Sequence, residues 1–155
     1  MRIALTSRVL RSNTGAVARL VDRMRDMNKQ KVLIGVPEGV SHSDGINMGA
    51  LAAIHEFGAP SRGIPERPFL QPSIDKNLDK YKALMAREAK GVVLKRSTLH
   101  QALAKVGMLA AADVQAYMVS GAFKPLAAST IKAKGSSKPL IDSGQLRQAI
   151  TYKVE

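Results

Sequence analysis

At 155 residues, 45% of them hydrophobic, the chain is long enough to bury a sizeable core and too apolar to belong to the disordered class. The absence of cysteine excludes disulfides, thiolate catalysis and cysteine metal sites, and three Phe, three Tyr and no Trp leave an aliphatic core rich in Ala and Met. A formal net charge of +12 suits a nucleic acid, an acidic protein surface or an anionic membrane.

The charge is unevenly spread. Residues 1 to 21 carry Arg2, Arg8, Arg11 and Arg19 with no acid, and residues 114 to 141 carry Lys124, Lys132, Lys134 and Lys138 with none. The start, MRIALTSRVLRSN, lacks an apolar run of signal-peptide length, and no segment reaches the roughly 18 uninterrupted apolar residues of a membrane span. A soluble protein made in the cytoplasm, with no membrane partner, is the expectation.

In chain order, Arg2 to Thr6 is a weak strand signal, and Thr14 to Met27 predicts a helix with Ala16, Leu20 and Met24 on one face. Lys31 to Val36 is a short β-branched run stopped by Pro37, which fits a strand. Residues 37–46, rich in Gly, Ser and Asp, form an exposed loop. Asn47 to Phe57 predicts a second helix ended by Gly58.

Ile64 to Pro72, IPERPFLQP, holds prolines at 65, 68 and 72, which fix φ and push the preceding residues out of the α region. An extended, rigid strap is predicted, pinned to a core by Phe69 and Leu70. Ser73 is then the expected cap of a helix from Ile74 to Lys95, striped by Ile74, Leu78, Tyr81, Met85, Ala89 and Val92. Ser97 is the expected cap of another helix reaching Val119, striped by Leu99, Leu103, Val106, Ala110, Val114 and Tyr117, with Gly121 as its stop.

Residues 121–141 read as a second exposed loop with a helical turn near Ala127 to Lys132. Asp142 caps a short helix, Ser143 to Ala149, and Ile150 to Val154 alternates as a last strand. The fold class is α+β: a small, mostly antiparallel sheet packed against long helices, in one domain spanning residues 1–155.

Chemistry is hard to find in these residues. His55-Glu56 begins a zinc-protease motif, but the second histidine would fall at Ala59. His42, His55 and His100 lack ligand spacing, so no metal and no cofactor are expected. Residues 132–138, KAKGSSK, lack the first glycine and the Gly-Lys-Ser/Thr ending of a phosphate loop and read as a basic, solvated loop. Asp142-Ser143-Gly144 could hold a nucleophilic serine, yet no strand precedes it and no histidine is near in sequence, so capping is the favoured reading.

Three segments in order, Leu51 to Gly58 (LAAIHEFG), IPERPFLQPSID and PLIDSGQLRQAITYKV, resemble the virion morphogenesis, neck or tail-completion proteins of tailed bacteriophages. Glu56, Phe57 and Gly58 match that family's helix end, Pro65, Arg67, Pro68 and Phe69 its proline strap, and Asp142, Gly144, Leu146, Arg147 and Ile150 its C-terminal signature. Ser143, where Thr is common, and Gln148-Ala149 are mild departures.

The resemblance implies a non-enzymatic minor tail or head-tail connector protein, placed at the virion neck or the head-proximal tail end. It implies a ring of about six or twelve copies. Its partners would be tail tube, tail terminator, head-closure or portal-side proteins. Assembly contacts are expected from Glu56, Phe57, Glu66, Arg67, Phe69 and Arg147, with Glu66 and Arg67 held outward by the strap toward a neighbouring subunit. Lys124, Lys132, Lys134 and Lys138 would contact an acidic tube or the genome non-specifically. Two alternatives stand beside it: a general, non-specific DNA-binding protein, although the chain shows no helix-turn-helix spacing, zinc finger or aromatic stacking stripe, and a small hydrolase, for which the sequence assembles no catalytic set.

Overall fold

The computed structural model describes residues 30–135, 137, 139–140 and 143–155, together with positions 15, 18, 19, 21, 22 and 25. The helix expected over Thr14 to Met27 therefore lies largely outside the described residues, although Gly15, Ala18, Arg19, Val21, Asp22 and Arg25 are helical. The strand expected over Arg2 to Thr6 lies outside them, as do Lys138 and Asp142.

From residue 30 onward the described fold has two short strands and five α-helices: β1 (Val32–Gly35), α1 (Met48–Phe57), α2 (Leu70–Val93), α3 (Leu99–Ser120), α4 (Ala128–Lys134), α5 (Gln145–Ala149) and β2 (Thr151–Val154). A turn of 3-10 helix, Pro60–Arg62, sits between α1 and α2. The strands pair antiparallel with Val32 opposite Val154 and Gly35 opposite Thr151. Packed on α3, this sheet gives the α+β class read from the sequence.

Helix α3 is central, touching α2, both strands and α5. Its length and composition would suit a membrane, yet Ala102, Val106, Ala110, Ala111, Val114 and Met118 are buried within the protein. Val114 and Met118 meet Met48, Phe69, Leu146 and Ile150 in one cluster, while Val106 and Ala110 meet Tyr81 in a second, with Ile34 touching both. Residues from α1, the strap and the C-terminus thus share one core. Burying such side chains stabilises the fold by about 1.5–3 kcal/mol each relative to exposure.

The starts of both long helices differ from the sequence reading. Helix α2 begins at Leu70, four residues before the expected start, and Ser73 is buried within its first turn. Pro72 is tolerated there because a first-turn N–H has no intrahelical partner. Thr98, the next residue after the predicted Ser97, caps α3: its Oγ1 accepts from Gln101 N (3.1 Å) and the Gln101 side chain accepts from Thr98 N (2.9 Å). Ser97 instead lies against α2, its Oγ 2.9 Å from where a Cβ on Gly91 would stand.

Three smaller corrections follow from packing. Leu78, expected in the α2 stripe, is exposed, because α2 presents only the side carrying Ile74, Tyr81, Leu84 and Met85 to its neighbours. Helix α4 runs from Ala128 to Lys134, longer than the single turn expected, and Gly135 ends it in a left-handed conformation. Gly144 stands at the start of α5, so that helix begins at Gln145 and not at Ser143.

The sheet approaches α3 closely at Gly107, where an added Cβ would lie 2.5 Å from Tyr152 Cδ2 and 2.8 Å from Val32 Cγ2. Ring atoms near the Tyr152 backbone cannot swing clear. Gly107→Ala is expected to destabilise the protein by about 2 kcal/mol through overpacking. Adding Tyr152→Ala should recover part of that loss. Strictly additive effects in a denaturant double-mutant cycle would contradict this contact.

Candidate functional site

The junction of α1, the strap and α2 holds most residues singled out in the sequence. Asn47 starts α1 by accepting Ala50 N (2.9 Å), and Gly58 ends it with φ of 73°. A Cβ at Gly58 would meet Glu66 N at 2.9 Å and Ile64 O at 3.0 Å, so both backbone conformation and space require glycine there. The chain turns back through the Ala59–Ile64 bridge and brings the strap alongside the end of α1.

Glu56 closes this junction. Although only 8% exposed, its carboxylate accepts Phe69 N (2.8 Å) and Leu70 N (2.9 Å) on Oε2 and Gln71 N (2.9 Å) on Oε1. These are the donors that the start of α2 leaves unpaired, and Pro72 removes the fourth. A negative charge here also meets the positive end of the helix dipole. A carboxylate from another helix therefore replaces the local cap expected from Ser73.

Arg67 departs from the sequence expectation. It is 6% exposed, and its guanidinium donates through Nε to Lys124 O and through Nη2 to Pro125 O, both at 2.9 Å. Its backbone N donates to His55 O (2.7 Å), satisfying a carbonyl at the end of α1. Arg67 is an internal clamp between the strap and the segment after α3, and it does not point toward a neighbour. The planar guanidinium presents two N–H groups to two adjacent carbonyls at once, a geometry suited to arginine.

Glu56 and Phe69 are likewise interior, Phe69 being only 2% exposed, so neither is available as a contact surface. Arg147 is half-buried on α5. Phe57 and Glu66 are exposed. Phe57 is 76% exposed, and shallow grooves lie on both sides of it: one is lined by Val36, Ala52, Ala53 and Ile150, the other by Pro60, Ile64, Pro65 and Lys124. Glu66 lies 3.9 Å from Lys124 Nζ, an exposed pair of little energetic weight. Lys132 is exposed as expected, and the description does not extend to the Lys134 side chain.

Charge on the long helices is partly neutralised. Lys80 Nζ and Tyr81 OH both donate to Asp113 (2.8 and 2.9 Å), joining α2 to α3. Burial, reinforced by the Asp113 carboxylate, pushes the Tyr81 hydroxyl well above its ordinary pKa. Lys105 donates to Glu88 (2.7 Å), and this bond holds the Glu88 carboxyl below its ordinary range. Lys76, Lys80, Arg87 and Lys90 follow one another at spacings of four, seven and three residues along the exposed side of α2, a basic stripe.

Sequence reasoning missed the capping role of Glu56. A signal was present: Phe-Leu-Gln-Pro opens a helix with no Ser, Thr, Asp or Asn at its start, so its donors had to find an acceptor elsewhere. Among the described residues no group of three His, Asp or Glu side chains could hold a metal ion. Comparisons with family models, curated proteins and solved structures find no match for the chain.

Arg67→Ala should lower stability by about 3 kcal/mol, because two charge-assisted hydrogen bonds are lost around buried carbonyls. For a chain of this size that corresponds to a drop in Tm of roughly 6–12 °C. An unchanged melting curve would contradict the clamp.

Proposed function

We propose that the chain is a structural subunit of a tailed-phage particle, acting in the head-to-tail connection as a neck, tail-completion or tail-terminator component that assembles as a ring. The supporting observation is that the three segments carrying the resemblance, separated in sequence, meet in one unit. Glu56 holds the strap, and Phe69, Leu146 and Ile150 share a core. The unit leaves Phe57 exposed between two grooves. On this reading Phe57 is the contact through which a copy meets its neighbour or an adjoining ring. A large exposed aromatic side chain is the residue type that dominates binding energy at protein interfaces.

The basic stripe of α2 and the net charge of +12 favour a second reading, a non-specific DNA-binding protein. The two readings respond oppositely to salt. Copies of a strongly cationic chain repel one another, so assembly through Phe57 should strengthen as salt rises from about 50 to 500 mM, whereas binding to DNA phosphates should weaken.

Particles produced without this chain are expected to appear in electron micrographs as unjoined heads and tails. Wild-type protein should restore joining and Phe57→Asp should not, while the Phe57→Asp monomer keeps its stability within about 0.5 kcal/mol, as expected for an exposed position. Normal joined particles without the chain, or full rescue by Phe57→Asp, would contradict the proposal.

A further inference from the structure

Ser143 lacks a histidine near it in sequence, but the fold supplies one from the other end of the chain. The loop between β1 and α1 folds on itself, with His42 N donating to Ile46 O (2.8 Å) and Gly45 N to His42 O (2.9 Å). Gln145 then ties it to the start of α5: its Oε1 accepts Ser43 N (3.0 Å) and its Nε2 donates to Ser43 Oγ (3.2 Å). This places His42 Nε2 3.4 Å from Ser143 Oγ.

The other ring nitrogen, Nδ1, is hydrogen-bonded to Asp44 Oδ1. A carboxylate at Nδ1 selects the tautomer that carries its proton there and leaves the Nε2 lone pair facing the serine. The Ser43 hydroxyl (2.9 Å), followed by His42, holds the Asp44 carboxyl below its ordinary range. The His42 side chain is only 16% exposed, so the ring is held in place. A cavity of about 230 Å³ adjoins the three residues, with apolar walls from Leu51, Leu126, Leu140 and Leu146. About 150 Å³ accommodates benzene, so an acyl group of that size or slightly larger fits. The Gln145 backbone N–H donates to Ser143 Oγ (3.4 Å), which fixes the hydroxyl beside the imidazole.

We propose that Ser143, His42 and Asp44 form an acyl-transfer site that hydrolyses carboxylic esters with a small apolar acyl group. Ser143 Oγ attacks the ester carbonyl as its proton passes to His42 Nε2. The carbon–oxygen bond to the leaving alcohol then breaks, and that alcohol takes the proton from Nε2. Water attacks the resulting acyl-serine, giving its proton to Nε2, and the acid leaves as Oγ is reprotonated. Asp44 does not touch the substrate; it is a positioning residue that keeps Nδ1 protonated and stabilises the imidazolium. This inference is independent of the particle-subunit reading.

The test uses the full chain with p-nitrophenyl butyrate and an alkyl fluorophosphonate. One acyl or phosphonyl adduct per chain, mapped to Ser143 by peptide mass, is expected. Ser143→Ala should remove the adduct, and His42→Ala should slow acylation by about a hundredfold or more, with partial rescue by added imidazole. Asp44→Asn should slow acylation while Asp44→Glu retains part of the rate, all at an unchanged Tm. Failure of the wild-type chain to be labelled, labelling spread over lysines, or equal acylation of Ser143→Ala would overturn the proposal.

Discussion

The carboxylate of Glu56 at the start of α2 is the interaction on which the rest of the structure depends. The long helix opens with Phe69, Leu70, Gln71 and Pro72, none of which can cap it, and its three amide donors all end on one side chain. Leaving such donors unpaired in a protein interior costs about 1–3 kcal/mol each. Their acceptor comes from the last turn of α1, so the relative placement of two helices is set by hydrogen bonds as well as by apolar packing. The strap between them is short and proline-stiffened, and the Arg67 backbone and side chain tie its middle to α1 and to the segment after α3. Each contact fixes the geometry that the others require.

This constraint also produces the most exposed aromatic side chain among the described residues. Successive residues on a helix differ in direction by about 100°. With Glu56 turned inward to reach α2, Phe57 is carried away from the core, and Gly58 immediately reverses the chain. The exposed ring is thus a geometric consequence of the buried carboxylate, and it stands on a helix end that cannot shift without breaking the α2 cap. A side chain presented from such a support loses little freedom when it meets a partner, which suits an assembly surface.

Periodicity and turn chemistry made the elements themselves legible: the β-branched run at Val32–Gly35, the alternation at Thr151–Val154, and the two long helices, the second with Gly121 as its stop. Their interactions were less so. Ser73 looks like a cap because capping rules are local, whereas the acceptor that α2 uses lies 13 to 15 residues upstream. Arg67 looks like a surface charge because arginine is seldom buried, and only the folded chain brings the carbonyls of Lys124 and Pro125 to it. The pairing of Ser143 with His42 spans 101 residues and depends wholly on topology. By contrast, the Thr98–Gln101 capping box was written in the sequence one residue beyond the serine chosen.

Native-state hydrogen exchange at the amides of Phe69, Leu70 and Gln71 tests the central role of Glu56 most directly. In the wild-type chain these three amides should be protected as strongly as the core of α3, and in Glu56→Ala their protection should fall by at least about tenfold while Val114 in α3 loses less. Weak protection in the wild type, or protection in Glu56→Ala equal to that of the wild type, would contradict the account.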